Sequence, residues 1–295
     1  LRHQLLPYSN ERQLMQVLVP FLLAGRAAGE RMLVITSSRS IQTLRRQLPG
    51  AEVEYVEART WYRSPGQAMA NANEFLQRAA HLGGEHCGLR LVGEPCWQDR
   101  PADELAEWAC YEAAFNLAFA GRPLQVICPY HTTNTPAPVL EEAHRTHPEL
   151  TGAQGPRPSA RYVDPYEFIP FGERGLGAAP ATAATTVVRG GDCADVARFA
   201  TRSAFEVGVF GRPARNFGLA AHEAAAEFFG DREVHARIKV WTERRELVCE
   251  LSCRGPAQPR VTGYLPPDPA AGRADRLWLT RRLCRLVRLR STPYG

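Results

Sequence analysis

Through its first 130 residues the chain alternates helix-patterned stretches with short apolar runs, and that alternation restricts the folds open to it. "ERQLMQVLVPFLLAGRAAG" spaces its apolar residues three and four apart and ends in glycine, so a helix is expected. "RMLVITS" follows as an apolar strand, and "SRSIQTLRRQLPG" as a helix opened by serine and closed by Pro-Gly. "VEYVEA", "LRLVGEP" and "LQVICPY" read as further strands, with "PADELAEWACYEAAFNLAFAG" a helix between the last two. Strands separated by helices pack as a largely parallel α/β layer, because a parallel pair needs a crossover of a dozen or more residues.

From about 152 to 190 the texture changes to Pro, Gly, Ala and Thr in "TGAQGPRPSARY", "GERGLGAAPATAATT" and "RGGD", the composition of a linker. Within it, "YVDPYEFIPF" is aromatic and suited to docking on either neighbour. Beyond 190, "DCADVARFATRSAFEVGV" and "RPARNFGLAAHEAAAEFFG" read as helices and "EVHARIKVWTERRELVCELSCRG" as two strands joined by a turn. "RADRLWLTRRLCRLV" is a last helix, and "RLRST" the start of a strand. The expected division is residues 1–151, a linker over 152–190, and an α+β domain over 191–295.

Composition narrows the function classes. No run approaches the ~18 apolar residues of a membrane span, and "LVPFLLAG" is too short for one. The chain opens on Leu1 rather than Met, which leaves room for residues upstream. Lys239 is the only lysine, and a net charge of +5 is modest for 295 residues, so direct nucleic-acid binding is not expected. Eight cysteines without a C-x-x-C pair fit reduced, mostly buried thiols in the cytoplasm. His144 and His147 share a helical spacing, but no Cys or carboxylate cluster completes a zinc set, so no metal is expected.

In the second domain, "LAAHEAAAEFFG", the hairpin ending "ELSCRGPA" and "LWLTRRLCRLVRLRS" resemble an anti-sigma-factor serine kinase domain of the GHKL ATPase type. The resemblance implies an α+β GHKL-like sandwich over about 190–293. It makes Glu223 the catalytic base if the domain is active, and puts Glu227 where the family carries a magnesium-binding Asn. It also implies losses. In "CRGPA", Cys253 stands for the Asp that holds adenine and Ala257 for the second glycine, leaving Gly255. Cysteine is a weak acceptor. In the lid run "AGRADRLWL" only Gly272 remains, and Arg276 immediately precedes "LWL". Degeneracy at three motifs points to a kinase-like domain without a working ATP site. ATP and magnesium are expected as cofactors only if it is active. Glu223 and Glu227, one turn apart, could also be a face paired with arginines.

In the first domain, "HQLLPY", "FLLAGRAAGERMLVITS", "WYRSPGQAMA", "LRLVGEP", "EWACYEAAFNLAF" and "ICPYHT" followed by "THPEL" resemble the MEDS type of sensory domain. The resemblance implies a RecA-like parallel-sheet fold fused to a bacterial regulator, and a small-molecule ligand. His131 departs from the acidic residue the family carries after "CPY". "SRSIQTLRR" after the strand "RMLVITS" has neither glycine nor lysine, so there is no phosphate-binding loop. Sheets of this kind bind ligands beyond the carboxyl ends of their strands. That places Glu94, Cys128 and His131 by a sensory pocket, with Arg63, Tyr111, Glu112 and Asn116 as further lining. Tyr111 and Glu112 could instead anchor a core helix.

The expected function is an anti-sigma, partner-switching transcription regulator. Its partner would be a STAS-class anti-sigma-factor antagonist or a sigma factor, as the resemblance implies. Two alternatives stand: an active serine kinase acting on a STAS protein, and a small-molecule sensor whose second domain only forms a homodimer.

Overall fold

A computed structural model describes residues 1–83, 88–98, 100–169, 177–189, 192–229, 235–254, 261–267 and 276–289. The chain divides into two compact units, Leu1–Ile169 and Pro170–Gly295.

The first unit begins with β1 (Arg2–Tyr8) and α1 (Glu11–Ala27). Asn10 caps α1 by accepting from the Gln13 backbone N–H at 3.0 Å. Leu14, Leu18 and Leu22 fall at i, i+4 and i+8, which puts them on one buried stripe. β2 (Arg31–Thr36), α2 (Ser38–Gln47) and β3 (Val53–Glu57) follow, with Ser37 capping α2. A short α3 (Ala58–Trp61) and a long α4 (Pro65–Gly83) lead to β4 (Leu89–Gly93). Then come α5 (Ala102–Ala118), β5 (Leu124–His131) and α6 (Ala137–Thr146). The unit closes with β6 (Glu149–Leu150), β7 (Arg157–Pro158) and α7 (Pro165–Phe168).

The sheet order is β3-β2-β4-β5-β1-β6-β7. Every pairing is parallel except β6 with β7. Residues of a strand alternate between the two faces of the sheet. On one face Leu6, Tyr8, Met32, Val34, Val92 and Ile127 pack with Leu14, Leu18 and Leu22 of α1 and Leu44 of α2. On the other lie His3 of β1 and Phe115 of α5, ring centroids 5.1 Å apart. The strands and helices expected within 11–130 are present, and the structure adds α3, α4 and β1, the last inserted between β5 and β6. "RHQLLPY" conceals its strand because two of its buried residues, His3 and Gln4, are polar. Residues 157–158 and 165–168, inside the stretch expected as linker, form β7 and α7 of this unit.

The second unit has β8 (Ala184–Arg189), α8 (Cys193–Glu206), α9 (Gly211–Phe229), β9 (His235–Glu243), β10 (Glu246–Cys253) and α10 (Arg276–Leu283). The sheet is antiparallel in the order β10-β9-β8. Its core joins Val188, Ala236, Ile238 and Val240 of the strands to Val196, Ala200, Ala221, Ala225 and Phe229 of the helices. β8 lies in the stretch expected as linker. α10 ends at Leu283, short of the end expected at 287, while residues 273–275 and most of the strand expected at "RLRST" fall outside the described residues. Among the described residues no helix is long and apolar enough to cross a membrane.

The β9–β10 hairpin turns on Arg244 and Arg245, both at positive φ (47° and 67°). Two-residue turns with both central φ positive favour Asn-Gly, whereas an arginine there costs about 1 kcal/mol in local sterics. The double variant Arg244→Asn/Arg245→Gly should therefore raise the unit's unfolding free energy by about 1 kcal/mol, read from its urea midpoint at unchanged m-value.

Candidate functional site

Four side chains distant in sequence meet inside the first unit: His3 of β1, Glu112 of α5, Cys128 of β5, and His147 at the residue that ends α6. All are buried, with relative exposures of 2, 4, 5 and 0 % in that order. Their ligand-type atoms lie within 4.8 Å of one another. His3 Nε2 is 3.3 Å from Cys128 Sγ and 3.5 Å from Glu112 Oε2, and His147 Nε2 is 3.8 Å from the same carboxylate oxygen. The two imidazoles face each other at 4.1 Å between centroids.

Hydrogen bonds around the group settle which ring nitrogens carry protons. The Asn116 amide NH2 faces the carbonyl oxygens of Glu112, Ala113 and Thr146, at 3.2, 3.3 and 2.8 Å. Only its donor side can do so, which leaves Oδ1 to accept from His3 Nδ1 at 3.1 Å. His147 Nδ1 likewise meets the Ala143 carbonyl at 2.8 Å and must donate to it. Both rings therefore carry a hydrogen on Nδ1, and in the neutral tautomer each Nε2 lone pair faces the group. His147 Nε2 is buried with no hydrogen-bond partner. Tyr130 donates its hydroxyl to the other Glu112 oxygen at 3.3 Å.

The electrostatics follow from burial. Desolvation holds the His147 pKa well below the usual imidazole range, with His3 adding to the effect. Burial and then the Glu112 carboxylate push the Cys128 thiol well up. The Tyr130 phenol is raised for the same two reasons in that order. An aromatic belt continues from the group: His3 against Phe115, Phe115 against Tyr111, Tyr111 against Trp108, and Trp108 against Trp97 and Tyr62.

A separate polar group sits at the carboxyl ends of β1, β2, β4 and β5. Glu94, just after β4, accepts from the hydroxyls of Tyr8 and Thr36. The His131 ring meets the edge of Tyr8 at 5.0 Å. Burial, then the neighbouring Glu94 charge, raises the Tyr8 phenol.

The seven residues expected to line one pocket thus separate. Glu112, Asn116 and Cys128 belong to the buried group, while Glu94 and His131 belong to the strand-end group. Tyr111 is a buried member of the aromatic belt, and Arg63 is exposed. Sequence reasoning missed His3, His147, Tyr8 and Thr36. It took His147 with His144, which is not part of the buried group. The signal available was the pairing of one histidine in "RHQLLPY" with another just after the α6 helix.

In the second unit the paired carboxylates of α9 both meet the start of α10. Arg276 Nη1 lies 3.5 Å from Glu223 Oε2, and the Arg276 backbone N–H donates to Glu227 Oε2 at 3.3 Å. His222 Nδ1 is 3.0 Å from the other Glu223 oxygen. One residue therefore answers both charges, by a guanidinium and by a helix-terminal N–H. Cys253 ends β10. Gly255, Ala257 and Gly272 lie outside the described residues.

Residues 2–148 match the model of the MEDS family, the MEthanogen/methylotroph, DcmR Sensory domain. The match spans all four members of the buried group and the strand-end group as well. No curated protein matches the chain.

Asn116 joins β1, α5 and the end of α6 through one amide. Asn116→Ala should cost about 1–3 kcal/mol, because His3 Nδ1 and the Thr146 carbonyl are left buried without partners. Urea unfolding of the full chain followed by Trp fluorescence reads that loss.

Proposed function

We propose that this chain is a bacterial transcription regulator of the anti-sigma, partner-switching type. In this reading the MEDS unit, on a RecA-like fold, senses a small molecule. The second unit is a GHKL-like kinase fold that binds a protein partner and transfers no phosphate. The partner is a STAS-class antagonist or a sigma factor.

The observation that carries the reading is the contact of Arg276 with Glu223 and Glu227. A phosphoryl-transfer site needs one carboxylate available to a hydroxyl and a second ligand available to magnesium. Here both carboxylates are already held by the first residue of α10. Cys253 in place of an acceptor carboxylate adds a second obstacle to nucleotide binding.

Support for a protein partner comes from the open ends of α8 and α9. Phe205 and Phe210 stack at 5.7 Å while 43 and 65 % exposed. Beside Phe205, Leu219 and the arginines 198, 202 and 215 line a groove between the two helices. Exposed aromatics beside this groove suit a partner with an apolar centre, Arg198 and Arg202 being paired with Asp192, Asp195 and Glu206.

Titration calorimetry with ATP and magnesium tests the loss of chemistry. The expected outcome is no binding up to millimolar nucleotide, and micromolar binding would favour an active serine kinase instead. For the partner face, Phe205→Ala/Phe210→Ala should weaken capture of a STAS protein or sigma factor by at least ~10-fold, the effect of losing one anchor of ~1.4 kcal/mol. Unaltered binding by that variant would sink the proposed face. A chain that only self-associates, measured by sedimentation, would favour a sensor whose second unit dimerises.

A further inference from the structure

The buried group of the first unit presents a problem of charge. In the neutral rings both Nε2 atoms are lone pairs, by the tautomers that Asn116 and the Ala143 carbonyl impose. Glu112 contributes oxygens that only accept when ionised, and Tyr130 already donates to one of them. Three acceptors, from His3, His147 and Glu112, thus converge on the Cys128 thiol, whose one hydrogen serves His3 Nε2 at 3.3 Å, and His147 Nε2 is fully buried without a hydrogen-bond partner. Buried polar atoms of native proteins are almost always satisfied. A shared cation satisfies all four side chains at once.

The geometry also fits one. Zn–N of ~2.0–2.1 Å, Zn–O of similar length and Zn–S of ~2.3 Å give a tetrahedron whose ligand atoms stand roughly 3.3–3.6 Å apart. The measured edges are 3.3 Å from His3 to Cys128, 3.5 Å from His3 to Glu112 and 3.8 Å from His147 to Glu112. Two neutral imidazoles, one carboxylate and one thiolate around a divalent ion sum to zero charge, the condition for burying charge cheaply. The Nδ1 bonds of both histidines are the outer-shell contacts that metal-ligating imidazoles make to backbone or side-chain acceptors.

We infer that His3, Glu112, Cys128 and His147 form a tetrahedral site for one divalent transition-metal ion, Zn2+ being the ion this donor set suits. With four protein ligands the site is closed, and its ion ties β1, α5, β5 and the end of α6 into one body. Cys128 binds as thiolate and gives up its proton on metallation, so uptake releases one proton to solvent. The site stands whether or not the unit senses a small molecule.

The test uses the full chain, freed of metal by a chelator and titrated with Co2+ as a spectroscopic substitute for Zn2+. One equivalent should bind and give the visible bands of tetrahedral cobalt together with a near-ultraviolet thiolate charge-transfer band, both lost on adding Zn2+. Cys128→Ser should remove the charge-transfer band, and His147→Gln should weaken binding on the order of 100-fold. Asn116→Ala, which touches only the outer shell, should weaken it ~10–100-fold. His144→Gln should leave affinity and spectrum unchanged. A chelated chain with the native circular dichroism spectrum that takes up no Co2+ would overturn the proposal, since protons alone would then satisfy the group. So would a charge-transfer band that survives Cys128→Ser, which would put the ion on another cysteine. Should Cys128→Ser not fold, X-ray absorption of the Zn2+-loaded natural chain decides: one sulfur among four neighbours is expected, and none or two overturns it.

Discussion

A polar residue on an inner strand must be supplied with partners from other elements, and His3 on β1 imposes that requirement on the whole first unit. β1 pairs along its full length with β5 and carries β6 on its other side. Its outward-facing alternatives are closed, because the even-numbered residues Leu6 and Tyr8 pack under α1. His3 therefore faces α5, and α5 must present Asn116 and Glu112 at that level. Spaced four apart, these two share a helix face, and the same Asn116 amide reaches the last carbonyl of α6. Sheet register, helix rotation and the end of α6 are thereby fixed through a single hydrogen-bonding centre.

The rest of that face is apolar and aromatic, which sharpens the electrostatics. The Glu112 carboxylate has little water to screen it there, and after burial itself its charge is the next cause that raises the Cys128 thiol and the Tyr130 phenol. By contrast, the strand-end group of Glu94, Tyr8 and Thr36 is satisfied by direct hydroxyl donation. The two groups lie on neighbouring parts of the sheet but solve different problems. One neutralises acceptors in a dry interior, and the other ties three strand ends together, those of β1, β2 and β4.

In the second unit, the same physics acts on a smaller scale. Glu223 and Glu227 repel as a helical pair unless positive charge lies between them. Arg276 supplies it at the point where α10 begins, so α9 and α10 are held at one fixed height. Both carboxylates serve here as contacts between two helices.

The strands β2 to β5 and the helices α1, α2 and α5 were legible in the sequence, because each depends on neighbours a few residues apart. The pairing of Glu223 with Glu227 was legible for the same reason. β1 was not, since its hidden histidine and glutamine break the apolar pattern that marks a buried strand. Nor was β8, whose Ala and Thr residues read as linker until pairing with β9 gave them a sheet. Positions 3, 112, 128 and 147 have no shared spacing that a linear reading can weigh. Only the parallel pairing of β1 with β5, the rotation of α5 and the termination of α6 at His147 bring them together. Local periodicity thus determined the elements by itself, whereas the chemistry of the buried group depended on tertiary structure, because its members interact across more than a hundred residues of chain and only when water is excluded from between them.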